Sequence, residues 1–194
     1  MEKKITRKDF LRKSCFQLFG FFEEIFSSEL NKFEGLFPDR IRPPGALPED
    51  EFILKCSRCK ACVKACPFFV IKSVKEKTSL DFGTPFIDTD MGFCRMCEDF
   101  PCIKSCPTQS LNKVSALSLK IGIAIVERKS CVRIAKISCM ACETACPRKF
   151  DAVSFESPFS EPTIDSLKCT GCGACQNLCP AVPKAIKVVS PKIT

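Results

Sequence analysis

Along residues 10–33 the apolar positions Leu11, Cys15, Leu18, Phe22, Ile25, Phe26, Leu30 and Phe33 recur at steps of three and four, the period of one helical face. The pattern predicts an amphipathic helix, interrupted or frayed near Gly20. Its apolar stripe packs on the rest of the protein, or else docks on a partner or a membrane surface. Further along, the pattern changes to short β-prone runs. Phe86-Ile87-Asp88, Ile125-Val126-Glu127 and Thr163-Ile164-Asp165 each end in an acid shortly before a cysteine, and Ala185-Ile186-Lys187-Val188-Val189 follows a Cys-Pro pair. The repeated unit is strand, cysteine loop, short helix, strand. Between the two regimes lies Arg42-Pro43-Pro44-Gly45-Ala46-Leu47-Pro48, whose prolines favour extended backbone and read as a linker. The expected organisation is a helical segment over residues 1–41, a linker over 42–49 and a cysteine-rich domain over 50–194.

Composition sharpens this division. The chain has 194 residues, with 17 Cys, 18 Phe and no Trp, Tyr or His, and eight of the phenylalanines fall in the first 37 residues. A cysteine count of this size means either a disulfide scaffold or thiolate ligation of metal, and the spacing separates them. Cys56, Cys59, Cys62 and Cys66 before Pro67 read C-x2-C-x2-C-x3-C-P, and Cys169, Cys172, Cys175 and Cys179 before Pro180 repeat it. Cys94, Cys97, Cys102 and Cys106 before Pro107 widen the second gap to four residues. Cys131, Cys139, Cys142 and Cys146 before Pro147 widen the first to seven. In the run C-x2-C-x2-C-x3-C-P, three close thiolates take three corners of one 4Fe-4S cube and the fourth binds the neighbouring cube. Sixteen cysteines in four such sets predict four 4Fe-4S clusters. Zinc usually draws separated Cys or His pairs, not three thiolates in seven residues, and histidine is absent. Gly171 and Gly173 allow close backbone approach, so that amides can face the sulfides. Cys15 stands outside the sets as a buried, inert thiol.

The outer two motifs share one spacing and the inner two are both stretched, which favours a nested pairing. The expected ligand sets are then Cys56, Cys59, Cys62 and Cys179; Cys169, Cys172, Cys175 and Cys66; Cys94, Cys97, Cys102 and Cys146; and Cys131, Cys139, Cys142 and Cys106. In that scheme the inner pair forms a subdomain over about residues 81–155. Sequential pairing of first with second and third with fourth is the alternative.

The formal charge of +8 suggests nucleic acid or an anionic surface at first sight. Four oxidised clusters, each contributing about 2− with its thiolates, bring it to about zero. The basic excess thus balances buried anionic clusters, and the aromatic-basic interleaving of single-strand binders is missing. No run of about 18 uncharged apolar residues is available to span a membrane. Thr6-Arg7-Lys8-Asp9-Phe10-Leu11 is similar to a twin-arginine export motif, with Lys8 in place of the second arginine and no small-x-small cleavage site. The expected location is the cytoplasm, with membrane association through a partner or the N-terminal helix; export to the periplasm is the alternative.

The chain resembles the NapG/MauM group of ferredoxin-type proteins. The resemblance runs from Arg42-Pro43-Pro44-Gly45-Ala46 through the first motif, Gly83-Thr84-Pro85 and Cys94-Arg95-Met96-Cys97-Glu98-Asp99-Phe100-Pro101-Cys102, to Cys169-Thr170-Gly171-Cys172-Gly173. It implies an α+β fold of two pseudo-symmetric ferredoxin-like halves with four 4Fe-4S clusters. It also implies a role passing electrons from a quinol-oxidising, membrane-bound or other donor to a terminal oxidoreductase.

The residues themselves supply no acid-base machinery of histidine or tyrosine, no nucleotide-binding glycine loop and no incomplete motif that would leave an open iron. The expectation is therefore an electron-transfer protein or subunit rather than an enzyme, working between redox partner proteins. An iron-sulfur sensor or scaffold is the alternative, and no DNA-recognition element supports it.

Overall fold

The computed structural model describes residues 40–115 and 118–191, which belong to one compact unit. The amphipathic helix and the export-like segment expected within residues 1–37, Cys15 included, lie outside the described residues. Among the described residues no helix is long and apolar enough to cross a membrane.

The first half begins with α1 (Glu49–Lys55), which opens after Pro48 with Glu49, Asp50 and Glu51 in its first turn and Lys55 in its last, the charge order that suits a helix dipole. It buries Phe52 and Ile53. Next come α2 (Ala61–Ala65), β1 (Ile71–Ser73), β2 (Pro85–Ile87) and α3 (Pro101–Lys104). The second half holds β3 (Ile123–Val126), two 3-10 turns at Arg128–Ser130 and Val132–Ala135, α4 (Ala141–Ala145), β4 (Val153–Phe155), β5 (Pro162–Ile164), α5 (Ala174–Asn177) and β6 (Ile186–Val189). The three β-prone lead-ins fall in β2, β3 and β5, as their composition predicts.

Each half holds one antiparallel strand pair and one closing contact. In the second, β4 pairs antiparallel with β5, and β3, before its first motif, pairs with β6, beyond its last. In the first, β1 pairs with β2, and Ala46 bridges Leu111. Flanking bonds from Leu47 N–H to Ser110 C=O (3.1 Å) and Asn112 N–H to Gly45 C=O (2.6 Å) extend that bridge. The core combines aliphatic side chains and Phe52, Phe100 and Phe150 with the cysteines themselves.

The expected linker is part of this body. Ile41, Arg42, Pro43 and Pro44 are buried, and the Arg42 guanidinium donates to Glu49, Thr84 Oγ1 (2.9 Å), Pro85 C=O (2.9 Å) and Asp81 (3.1 Å) while lying over the Phe52 ring. Asp81 is fully buried and also receives Arg40 Nε at 2.7 Å. Burial alone would raise its pKa, but the Ser79 hydroxyl, Arg40 and Arg42 hold it below the usual carboxylate range. The inner subdomain expected over about 81–155 is not formed either. β3, inside that span, pairs with β6, outside it, and the described residues belong to one compact unit.

Candidate metal centres

The sixteen cysteines stand around four cavities. Cys56, Cys59, Cys62 and Cys106 line one of about 300 Å³ (site 1). Cys66, Cys94, Cys97 and Cys102 line one of about 350 Å³ (site 2). Cys131, Cys139, Cys142 and Cys179 line one of about 340 Å³ (site 3). Cys146, Cys169, Cys172 and Cys175 line one of about 380 Å³ (site 4). Every site takes three thiols from one motif and the fourth from its neighbour in sequence. The nested sets expected from spacing are not brought together: Cys179 stands with the third motif rather than the first, and Cys66 with the second rather than the fourth. Gap widths reflect how each loop wraps its own site, whereas the partner is fixed by strand closure, and consecutive motifs have the shorter loop to close.

Among the described residues no three Cys, Asp or Glu side chains converge closely enough to hold a single metal ion. Four thiols set apart around one cavity, rather than converging on a point, suit a cube whose corners are separate irons. One tetrahedral zinc would draw all four sulfurs to about 2.3 Å.

Local structure places each thiol. Lys60, Phe100 and Gly173 adopt left-handed φ angles of +62°, +42° and +88°, and each turns its loop directly into a short helix carrying the third cysteine of its motif. Cys66 and Cys146 then take extended backbone at the helix ends, as residues before proline prefer. Gly171 and Gly173 line site 4, but the space a side chain would need is taken by other parts of the chain. A Cβ at Gly171 would lie 2.2–2.3 Å from the backbone of Gly122, and one at Gly173 would lie 2.6 Å from Thr89 Cγ2.

Burial pushes the thiols of Cys62, Cys94 and Cys175 up to about 12 and those of Cys102 and Cys142 up to about 11. Cys59 behaves oppositely: the Ala61 N–H and the Ser57 hydroxyl lower it. At Cys106 burial pushes upward, but Ser110 Oγ at 3.3 Å, the Leu111 N–H and Thr108 hold the thiol below its ordinary value. Met96 N–H reaches Cys94 Sγ and Ala152 N–H reaches Cys146 Sγ, both at 3.4 Å, the type of contact that stabilises negative charge on ligand sulfur.

The sites adjoin in a fixed order. α2, carrying Cys62, packs on α3, carrying Cys102, so sites 1 and 2 are neighbours; α4 and α5 join sites 3 and 4 through Cys142 and Cys175 in the same way. Between the halves, Cys94 N–H donates to Cys172 C=O at 2.9 Å, linking site 2 to site 4. Around that junction Thr170 Oγ1 contacts Met96 Sδ (3.6 Å), Gln176 Nε2 donates to Asp90 (2.9 Å) and Asn177 Nδ2 donates to Asp90 C=O (3.0 Å).

Two supports were not singled out in the sequence. Arg133, in the seven-residue gap, is buried; its guanidinium donates to the carbonyls of Ser160 (2.7 Å), Cys139 (2.6 Å), Ser157 (2.9 Å) and Pro158 and lies 3.8 Å from the Phe155 ring centroid. Arg95 lies over Phe93 at 4.0 Å and Phe68 at 5.6 Å, covering one wall of site 2.

The profile of the 4Fe-4S dicluster domain matches twice, at residues 55–110 and 137–182, each match containing two consecutive motifs apart from Cys131. The methylamine utilization ferredoxin-type protein MauM of Methylobacillus flagellatus is 38% identical over 77% of this chain and 68% of its own length. MauM of Paracoccus denitrificans is 35% identical over 77% and 70%. The ferredoxin-type protein NapG of Escherichia coli is 36% identical over 77% and 70%. With two dicluster domains and four four-cysteine cavities for four 4Fe-4S clusters, the chain belongs to the NapG/MauM family of ferredoxin-type proteins and acts in iron-sulfur electron transfer.

Proposed function

We propose that the protein relays single electrons along the line site 1, site 2, site 4, site 3, between a donor and an acceptor that dock at opposite ends. The observation carrying this is the adjacency of the sites: two helix pairs within the halves and one backbone hydrogen bond, Cys94 to Cys172, between them. The sixteen cysteines are the iron ligands, in the four sets that line the cavities. A 4Fe-4S core bound there supplies a one-electron couple that leaves protein bonds intact.

The chain's own residues hold thiolates in position, exclude water and donate hydrogen bonds to ligand sulfur at Cys94, Cys146 and Cys106. The shared closing pattern, Ala46 with Leu111 and β3 with β6, supports two pseudo-symmetric ferredoxin-like halves. Catalysis belongs to a partner oxidoreductase, and a membrane-bound quinol-oxidising protein is a suitable donor. Anaerobically purified protein is expected to hold about sixteen irons and sixteen acid-labile sulfides per chain, with magnetically coupled 4Fe-4S signals on reduction. Stoichiometric zinc without labile sulfide in iron-replete preparations would overturn the relay.

A further inference from the structure

Site 1 is at one end of the line, and it holds the least covered of the sixteen thiols. Cys59 is the one exposed thiol among the sixteen; the rest are buried or partly covered. Its loop carries a concentrated positive charge: residues 52–75 contain six basic side chains and no acid. Lys55, Arg58, Lys60 and Lys64 are all exposed around the first motif. Arg58 is fixed by a bond from Nε to Phe82 C=O at 2.9 Å. Among the described residues Lys55, Lys60 and Lys64 make no ion pair. Beside Lys55, Leu54 is 87% exposed, an apolar contact point inside a charged border, which is the usual anatomy of a protein interface.

We propose that this rim is the docking surface for a one-electron redox protein whose own centre is ringed by acidic side chains. The inference rests on the relay reading and identifies one of its ends. Electron tunnelling weakens steeply with distance, so a partner must approach a cluster edge, and Cys59 offers the least covered one. A basic ring steers an acidic partner to that edge and raises its association rate. One electron crosses there, and the centre on one side is oxidised as the other is reduced. Charge balance for the clusters alone does not explain why the lysines gather, unpaired, around the one exposed ligand.

The test uses the reduced holoprotein and two small one-electron oxidants, anionic ferricyanide and a cationic cobalt(III) complex, mixed by stopped flow at several ionic strengths. Wild type should react with the anion at a rate that falls with salt. The triple variant Lys55→Glu, Lys60→Glu, Lys64→Glu should react about tenfold more slowly with the anion and faster with the cation, and its salt dependence should shrink or invert. The control Lys113→Glu, Lys149→Glu, Lys187→Glu makes the same change in net charge at exposed positions elsewhere. Equal slowing in both triples would show an effect of net charge alone and overturn the port, as would no slowing in either. Binding of wild type to phosphatidylglycerol vesicles that the first triple abolishes, with oxidation rates unchanged, would assign the patch to a lipid surface and overturn the proposal. Iron and sulfide analysis separates these outcomes from failure of the relay itself: a wild type without labile sulfide sinks the relay, whereas fully loaded variants test only the port.

Discussion

At the scale of single residues, the thiols of one site are in opposed states before any metal binds. Cys62, buried beside Cys56 and Cys102, is pushed up to about 12, while Cys59 in the same site is lowered by the Ala61 N–H and the Ser57 hydroxyl. Cys94 and Cys175 follow Cys62 because burial dominates there. A bare site therefore keeps most of its buried cysteines as thiols at neutral pH, and ligation must expel those protons. Proton competition grows as pH falls, so clusters challenged with an iron chelator should be lost faster at about pH 5.5 than at about pH 8, read from the decay of visible absorbance. The cluster-free fold has the opposite dependence. Its raised thiols contribute stability that is fully present below the ordinary thiol value of about 9 and is lost as pH rises towards about 12, because the unfolded chain releases protons that the folded one retains. Thermal melts of cluster-free protein across that range check the sign.

Among the elements, the 3-10 turn at Val132–Ala135 illustrates how a widened cysteine gap is kept in place. Its backbone bonds, such as Ile134 N–H to Cys131 C=O (3.1 Å) and Lys136 N–H to Arg133 C=O (2.9 Å), stay within the turn and its ends, and the Arg133 side chain ties the turn outward by gathering the carbonyls of Cys139, Ser157, Pro158 and Ser160. The planar fork of an arginine reaches several acceptors at once, which a lysine cannot reproduce. Arg133→Met should lower stability by about 3 kcal/mol and release about four of the sixteen irons, since Cys139 would lose its anchor. Arg133→Lys should do nearly the same; full iron content in both variants would contradict the anchoring role. None of this was visible in the sequence, where a basic residue in an insertion reads as solvated and only the fold shows the carbonyls around it. The strands were legible because Phe86-Ile87, Ile125-Val126 and Thr163-Ile164 are β-prone runs that the sheets use directly. The cysteine motifs were legible because ligand spacing is local as well. Pro43 and Pro44 misled for the converse reason: the prolines read as a linker from local rules, but the segment's burial depends on residues far along the chain, Asp81, Thr84 and Pro85, that receive the Arg42 guanidinium.

For the whole molecule, the order of the sites is what strand closure contributes and spacing could not. Nested pairing would place the first and fourth motifs around adjacent clusters. In the structure the first and fourth motifs supply ligands to different cavities, and no cavity is shared between them. The linear order has a consequence that a compact grouping lacks. In fully reduced protein, magnetic coupling should join neighbours only: sites 1 and 2, sites 2 and 4, and sites 4 and 3, matching the contacts Cys62 with Cys102, Cys94 with Cys172, and Cys142 with Cys175. Removing the end cluster with Cys56→Ala and Cys59→Ala should delete one coupling and leave the remaining line intact. Removing the site 2 cluster with Cys94→Ala and Cys97→Ala should delete two, leaving site 1 as an isolated spin and sites 4 and 3 as a pair. Pulsed EPR on the two variants, each checked for about twelve irons, reads this difference directly. If site 1 remained coupled after site 2 was emptied, electrons would have a second route between the halves and the single crossing at Cys94 and Cys172 would be wrong.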